Sequence, residues 1–228
     1  MSLDKINQAI ISCQQCPRLL DWQKHIDANK RASYKDELYW SRPVPSFGDP
    51  KAQILILGLA PGAHGANRTG RLITGDSSGD WLFRSMYKAG LCNQASSTHK
   101  DDGLQLTNTW ISNVVHCAPP ENKPKTDERD NCLPFLTQEL QTLNHLKLIV
   151  CLGQYAYDSL LKTLKDNTLA HVPSPKQKFK HALWIDLNPY KILCSYHPSQ
   201  QNTFTKKLTQ TMLDDIFFEA AQKVRPYF

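Results

Sequence analysis

Four of the seven cysteines are spaced for chemistry rather than for packing. Cys13 and Cys16 form a C-x2-C pair, a spacing at which two thiolates can bind one metal centre. Cys117 and Cys132 lie far downstream and complete a set of four possible ligands. A thioredoxin-like redox pair requires a βαβ setting, whereas this pair precedes the first predicted strand. Four thiolates suit either structural zinc or an iron–sulfur cluster, and the spacing alone does not separate the two.

Residues 58–79 form a glycine-rich loop in which the backbone can approach a ligand closely. The loop has neither a G-x-G-x-x-G pattern nor the GK[ST] ending of a P-loop, so it is not a nucleotide-binding loop of a known type. Asp76 supplies a carboxylate, but aspartate is also a favoured helix N-cap. His64 either faces a ligand or is simply solvated.

Two further polar residues belong to predicted strands or follow them. Asn113 lies inside an apolar run, where a buried amide must find hydrogen-bond partners. It either braces the sheet or presents a donor and an acceptor to a polar heterocycle. His197 ends another apolar run and precedes Pro198. It either points into a cleft or is a satisfied histidine of a turn.

The elements that position these residues alternate between strands and helices. Apolar runs between breakers predict strands buried on both faces, at residues 53–58, 110–116, 146–152 and 191–196. Helical periodicity predicts helices at residues 2–12, 81–89, 126–143, 154–164 and 208–224. We therefore predict an α/β fold with a mainly parallel sheet covered by helices on both faces. Ligands bind at the carboxyl ends of such strands, where we expect the loops 58–79, 117–125 and 197–205.

Composition limits the class of protein. The chain has 228 residues, 40% of them hydrophobic, so it can bury a core and is not a disordered tail. Its net charge of +6 permits an acidic partner such as nucleic acid without requiring one. The chain contains neither an apolar run long enough for a membrane span nor a secretory signal. We expect a cytoplasmic protein with one domain over residues 1–228 and no membrane partner.

Five segments together resemble the iron–sulfur uracil-DNA glycosylases, and most closely their family 5 (type b) branch. The segments are GLAPGAHGANRTGRLITGD (58–76), SGDWLFRSMYKAGL (78–91), DDGLQLTNTWISNVVHCAPPENKP (101–124), ERDNC (128–132) and SYHPSQQNTFT (195–205). With the CQQC pair, the resemblance covers nearly the whole chain. Each segment lies on a predicted cleft loop or on a flanking helix.

The resemblance implies a three-layer α/β/α sandwich around a four-stranded parallel sheet, with an N-terminal cluster-binding segment. It implies a [4Fe–4S] cluster on Cys13, Cys16, Cys117 and Cys132. It implies a monomeric, monofunctional enzyme that hydrolyses the N-glycosidic bond of uracil in DNA, and of hypoxanthine and xanthine in this branch, to initiate base excision repair. The alternative is a zinc-containing nucleic-acid-binding module without catalysis.

The resemblance also implies roles for individual residues. Asp76 would face the sugar, His197 would donate to the base oxygen next to the glycosidic nitrogen, and Asn122 would lie near the water or the sugar–phosphate. The implied substrate-binding residues are Gly58, Ala60, Pro61, Gly62, His64, Ile73, Asn113 and Ser199.

Two positions distinguish this chain within the resemblance. Leu59 stands where family 4 enzymes carry a glutamate, which moves the search for a carboxylate to Asp76. Ile73 stands where both branches usually have a phenylalanine, so the flipped base would be covered without π stacking.

Contacts to the duplex are expected around the same loops. The expected phosphate contacts are Lys123, Lys125, Arg68, Arg71, Lys206 and Lys207. The expected wedges into the gap left by a flipped base are Gln200, Gln201 and Phe204.

Overall fold

Six strands form one sheet in the computed structural model, which describes residues 1–224. The strands are β1 (Phe47–Gly48), β2 (Ile54–Gly58), β3 (Thr109–Asn113), β4 (Leu148–Leu152), β5 (Leu183–Leu187) and β6 (Tyr190–Ser195). Their order across the sheet is β1-β3-β2-β4-β6-β5. The four inner strands are parallel, whereas β1 is antiparallel to β3 and β5 is antiparallel to β6.

The predicted α/β fold is confirmed, but the predicted number of strands is wrong, because the sheet has six strands instead of four. The four predicted strands are the inner parallel ones. β1 has only two residues, and β5 alternates between buried and more exposed positions. A continuous apolar run marks only strands that are buried on both faces, so these two edge strands gave no such signal.

Eight α-helices surround the sheet within residues 1–224. They are α1 (Leu3–Ile11), α2 (Pro17–Ala28), α3 (Ala66–Thr69), α4 (Ser77–Lys88), α5 (Thr126–Thr142), α6 (Gln154–Asp166), α7 (Gln200–Phe204) and α8 (Gln210–Val224). Local sequence explains where several of them begin. Pro17 occupies the first position of α2, where its missing N–H costs nothing, and Asp76 caps α4. In the part of the chain that the structure describes, no helix is both long and apolar enough to cross a bilayer.

The sheet separates two hydrophobic cores, one on each of its faces, and the inner strands contribute residues to both. Along β2, Leu55 and Leu57 belong to the core that contains residues of α1, α5 and α6. Ile54 and Ile56 point to the opposite face and join the core that contains residues of α4 and α8. This alternation gives the three layers, because a strand buried on both faces requires helices on each side.

The carboxyl ends of the parallel strands place the candidate residues on one edge of the sheet. Gly58 ends β2 directly opposite Asn113, which ends β3. His197 follows β6, which is separated from β2 by β4. At about 4.8 Å between neighbouring strands, β2 and β6 are roughly 10 Å apart. This separation is wide enough for a planar heterocycle to lie between residues at the ends of the two strands.

Candidate active site

The side chain of Asn113 is buried without a hydrogen-bond partner. It is 1% exposed, and neither Oδ1 nor Nδ2 is hydrogen-bonded to any described residue. A buried donor or acceptor left unpaired costs about 1–3 kcal/mol. The amide therefore does not brace the sheet, and a ligand that offers both a donor and an acceptor would satisfy it.

Gly58 makes room for this amide. A methyl group at position 58 would lie 2.2 Å from Asn113 Oδ1 and 3.7 Å from Ile73 Cδ1. The first distance is far inside van der Waals contact, so a side chain at position 58 would displace the amide. Gly58, Ile73 and Asn113 thus form one wall, which the structure builds from residues distant in sequence.

The backbone of Ile73 is held in the left-handed region, with φ at +51°. This conformation costs about 1–2 kcal/mol for a residue with a Cβ, and isoleucine is β-branched. Gly79 in α4 permits it, because a methyl group there would lie 2.4 Å from the Ile73 carbonyl oxygen and would exclude this close approach. Strain of this kind persists where the surrounding structure over-determines a side-chain position. Here it turns the Ile73 side chain toward Gly58 and Asn113.

The two oxygens of Asp76 have different environments. Oδ1 accepts hydrogen bonds from the backbone N–H groups of Ser78 (3.0 Å) and Gly79 (3.2 Å), so the capping role is real. Oδ2 faces Gly62 and Gly65, since methyl groups built there would lie 2.9 and 2.2 Å from it. One carboxylate therefore both starts α4 and presents an oxygen to the glycine-rich loop.

Burial controls the charge of Asp76. Removal of the carboxylate from water raises its pKa above the usual value, although the hydrogen bonds from Gly79 and Ser78 oppose this effect. The nearby charge of Arg68 also lowers the pKa. A carboxylate with a raised pKa is less well stabilised in the empty site than in water. It therefore gains from a positive charge placed next to it.

Free backbone N–H groups follow β2. The carbonyl groups of Gly58 and Leu59 accept hydrogen bonds from Val114 and Val115, which continues the pairing of β2 with β3. Within the described residues, the N–H groups of Ala60, Gly62, Ala63 and His64 donate to no partner, and Pro61 has none to donate. Gly62 lies beside Asp76 Oδ2. The N–H donors of this turn could receive oxygen atoms of a ligand.

His64 is anchored in this loop rather than free. Its Nδ1 lies 2.9 Å from the hydroxyl of Tyr39, and its carbonyl accepts from Arg68 Nε at 2.8 Å. Burial, followed by the positive charges of Arg31 and Arg68, lowers the pKa of His64. The imidazole is therefore neutral near pH 7.

His197 lies at the carboxyl end of β6, next to the turn that follows β4. A methyl group on Gly153 would lie 3.5 Å from His197 Cβ, and Asn202 Nδ2 donates to the His197 carbonyl at 2.8 Å. The side chain is partly buried, and burial lowers its pKa to about 4. The ring is therefore neutral at physiological pH and still carries one N–H donor.

Two predicted residues lie outside this group of contacts. Asn122 is exposed, has φ at +57°, and ends the 3₁₀ turn Pro120–Asn122. No hydrogen bond among the described residues links its side chain to Asp76, Asn113 or His197. Ser199 is the partly buried residue that precedes α7, and its carbonyl, not its side chain, accepts from Thr203.

Arg68 and Arg71 do not have the role that was expected of them, because both are buried and paired inside the protein. Arg68 bonds to Glu37 and also donates to the Gly75 carbonyl at 2.9 Å. Arg71 pairs with Asp102 at 2.6 Å. Their charges are already compensated, so these arginines brace the loop and are not available to phosphates. The expected lysines are exposed.

The four predicted cysteine ligands line one cavity between α1, α2 and α5. Apolar side chains such as Ile10, Leu19 and Phe135 complete its wall. Burial raises the pKa of Cys117, and the neighbouring cysteines raise it further. Thiolates held this close repel one another, so the arrangement favours a positively charged metal group among them.

The cavity does not have the geometry of a site for one metal ion. Among the described residues, no three His, Cys, Asp or Glu side chains converge closely enough to hold a single ion. A zinc ion bonded at about 2.3 Å would require sulfurs in near contact. Each thiolate of an iron–sulfur cluster binds a different iron, so four cysteines that line one cavity without meeting at a single point are compatible with a cluster.

The sequence analysis did not identify His116 as part of this region. Its ring lines the cavity and is buried. Nδ1 lies 2.7 Å from the Val44 carbonyl oxygen, which fixes Nδ1 as the donor, and Nε2 has no partner among the described residues. In the sequence, only its position next to Cys117 indicated that His116 could belong to the cysteine-lined region.

The sheet with its polar residues at the carboxyl edge is typical of an α/β enzyme that binds a small heterocycle. A family model, that of the uracil DNA glycosylase superfamily, matches residues 45–221, and the chain belongs to that superfamily. It is 44% identical to the type-5 uracil-DNA glycosylase of Mycobacterium bovis, over 96% of this chain and 81% of that protein. The type-5 uracil-DNA glycosylase of Thermus thermophilus is 41% identical, over 96% of this chain and 97% of its own.

A type-4 uracil-DNA glycosylase, from Sulfurisphaera tokodaii, is more distant. It is 30% identical over 73% of this chain and 61% of its own length. The resemblance to the type-5 branch that the sequence motifs indicated is therefore confirmed.

Proposed function

We propose that this chain is a monofunctional uracil-DNA glycosylase that hydrolyses the N-glycosidic bond of uracil in DNA and so initiates base excision repair. Hypoxanthine and xanthine are its further substrates. The observation that carries the proposal is the buried, unpartnered amide of Asn113 at the carboxyl edge of the sheet. The names of the type-5 relatives support it. The whole chain acts as a monomer with one glycosylase domain.

Base recognition begins with the Asn113 amide. Uracil presents an N–H donor beside a carbonyl acceptor, and the amide offers the complementary acceptor and donor. Hypoxanthine and xanthine carry the same N–H and carbonyl pair on their six-membered rings, which supports the wider substrate range. A base inside a duplex cannot reach a buried amide, so the nucleotide must be flipped out. Ile73 then covers the ring by apolar contact, without π stacking.

Bond cleavage separates charge between the sugar and the base. The C1′–N bond breaks and its electron pair moves to the base. Water then bonds to C1′ and releases its proton to the base or to solvent. Asp76 would face the sugar through Oδ2, stabilise the positive charge and orient the water. Fixed groups of this kind lower the barrier because they need no reorganisation when the charge develops.

His197 would act on the opposite side of the breaking bond. As a neutral imidazole it would donate a hydrogen bond to O2 of uracil, the oxygen next to the glycosidic nitrogen of that base. The free N–H groups of the loop, together with His64, would line the pocket. Asn122 and Ser199 would contact the sugar–phosphate near the base. No lysine acts as a nucleophile, so the enzyme would leave the DNA backbone intact.

A [4Fe–4S] cluster would be held by Cys13, Cys16, Cys117 and Cys132, and its iron ions would supply the positive charge that four thiolates require. Its role is structural. It would fix the N-terminal segment and the loop after β3 against the sheet. Zinc in a non-catalytic module is the less favoured alternative, because the described thiolates do not converge on one point.

The DNA partner would be held by exposed basic and apolar side chains at the cleft. Lys123, Lys206 and Lys207 are exposed and close to the predicted cleft loops. Phe204, at the end of α7, is 78% exposed and is the strongest candidate for a wedge into the duplex.

The proposal is tested by base release from duplexes that contain one uracil, hypoxanthine or xanthine. We expect each free base to be released and the DNA strand to remain intact until the abasic site is cleaved chemically. Matched duplexes with cytosine at the same position are the control. The proposal would be overturned if the iron-replete protein released none of the three bases.

A further inference from the structure

Residues 176–181, between α6 and β5, lie against the strand end that carries His197. The Gln177 carbonyl accepts from the Tyr157 hydroxyl at 2.9 Å. The ring of Phe179 lies between Tyr157 and Tyr196, at 6.0 and 6.1 Å between centroids. His181 Nδ1 accepts from the Tyr196 N–H at 3.1 Å. Residues 177, 179 and 181 therefore attach the segment beside His197.

Lys176, Lys178 and Lys180 are exposed, as is Gln177, whereas Phe179 and His181 are partly buried. From residue 178 to residue 181, exposed and partly buried positions therefore alternate, as they do in an extended chain. Lys176 is paired with Asp158 at 2.8 Å. Within residues 1–224, Lys178 and Lys180 have no hydrogen bond or ion pair. Two uncompensated cations thus stand side by side on the outer face of the segment.

The sequence on both sides of these lysines also lacks acidic residues. Residues 167–185 and 187–213 contain no aspartate or glutamate. The second of these stretches includes Lys207, whose Nζ lies 4.7 Å from the centre of the Tyr196 ring. The Tyr196 ring therefore has Phe179 and His181 on the segment beside it and the Lys207 ammonium over it. The acidic groups near His181, Asp215 and Glu219, belong to α8 behind the segment.

We propose that Lys178 and Lys180, continued by Lys207, form a track that binds consecutive phosphates of the DNA strand entering the cleft beside His197. This inference rests on the proposed function and names a DNA contact surface outside the pocket. Residues two apart in an extended chain are about 6.6 Å apart. Neighbouring phosphates of one DNA strand rise only about 3.4 Å along the helix axis but also turn around it, so the straight-line distance between them is of similar size, roughly 6–7 Å. The rigid aromatic attachment to Tyr196 would set the distance between the held phosphates and the flipped nucleotide.

The test compares the double variant Lys178→Gln/Lys180→Gln with Lys51→Gln/Lys147→Gln, which removes two exposed lysines before β2 and β4, at the amino edge of the sheet. Dissociation constants for a uracil-containing duplex are measured from about 50 to 200 mM salt. Each lost phosphate contact lowers the slope of log affinity against log salt concentration by about 0.9. Over this range of salt, the affinity of the track variant should therefore fall about tenfold less than the affinity of the parent. The control variant should keep the parent slope.

A second measurement separates this inference from the proposed function. At saturating DNA, the single-turnover rate of base release by the track variant should stay within about twofold of the parent, because phosphate contacts hold the substrate without acting on the reacting bond. Neutral methylphosphonates at the contacted phosphates should weaken binding to the parent and leave binding to the track variant unchanged. Equal slopes for track and control variants would overturn the track. Absence of base release by the parent would overturn the proposed function instead.

Discussion

Arg18 and Glu128 form a two-point ion pair between α2, which begins directly after Cys16, and α5, which contains Cys132. Nε and Nη2 of the guanidinium each lie 2.7 Å from a different carboxylate oxygen. The Glu128 side chain is only 4% exposed, whereas that of Arg18 is 34% exposed. The pair therefore closes one side of the cysteine-lined cavity and leaves a buried charge behind if the arginine is lost.

Arg18→Met should lower the free energy of unfolding by about 2–3 kcal/mol, because the buried Glu128 carboxylate loses its partner. Lys24→Met is the matched control, since the Lys24–Asp21 pair is exposed and should contribute less than about 0.5 kcal/mol. Urea denaturation of both variants measures the difference. Equal stabilities would show that the pair between α2 and α5 does not support the fold.

Cys117→Ala should lose most of its bound iron and the visible absorbance of the proposed cluster, because one thiolate ligand is removed. Cys92→Ala removes a cysteine that is also buried but lies outside the cavity, so it should keep its iron. Iron analysis and the visible spectrum of both purified variants provide the measurement. A full iron content in Cys117→Ala would contradict the proposed ligand set.

Asn113→Leu should release uracil at least about 100-fold more slowly, because the group that pairs with the base edge is lost. The same variant should be as stable as the parent or more stable, since it removes two buried polar atoms without partners. Single-turnover kinetics and thermal unfolding, measured together, test the pair of expectations. A large loss of stability with normal base release would assign Asn113 to the architecture of the sheet.

Asp76→Asn should reduce the single-turnover rate by about 10²–10³-fold while the cap of α4 survives, because asparagine caps as well as aspartate. At pH 7 the variant should be no less stable than the parent. The folded-state pKa of Asp76 is raised, so its negative charge opposes folding once the pH exceeds the pKa of the unfolded state. Asp80→Asn, in the exposed first turn of the same helix, is the control. Unchanged base release by Asp76→Asn would remove this carboxylate from the mechanism.

Base release should be independent of pH from about 8 to 6 and should fall as the pH approaches 4. His197 stays neutral over the upper range because burial lowers its pKa to about 4. Asp76 gains its proton at a higher pH than an ordinary aspartate and then no longer offers a negative charge to the sugar, which explains the decline. Protonation of His197 leaves its N–H donor in place, so the decline should persist in His197→Ala. A midpoint near 6.5 in the parent would instead mean that the imidazole titrates as an exposed histidine.

The inner strands, and the edge of the sheet on which the candidate residues lie, could be predicted because both depend on strong local signals. Apolar runs such as residues 146–152 need burial on two faces, and the carboxyl ends of parallel strands share one edge. β5 was missed because an edge strand with one open face needs no continuous apolar run. Its pairing with β6 depends on the tertiary structure and cannot be predicted from the sequence around residue 183.

Charge in the sequence did not reveal which cations face solvent. Arg68 and Arg71 lie in the same loop and looked equally available to phosphates. Glu37 and Asp102, distant in sequence, pair with them and make both part of the loop's support. The choice between capping and catalysis at Asp76 was equally open, because only the structure separates the environments of its two carboxylate oxygens.

The cysteine-lined cavity can form only late in the synthesis of the chain. Its wall runs from Ile10 to Phe135, so the N-terminal half of the lining leaves the ribosome long before the rest. At about 5–20 residues per second, roughly 5–25 s separate the emergence of Cys16 from that of Cys132. Through that interval, Cys13 and Cys16 are nascent thiols without their later partners, open to oxidation or to a scavenged metal ion. Translation speed along this stretch therefore sets how long the N-terminal pair must be kept reduced before the cavity can close around it.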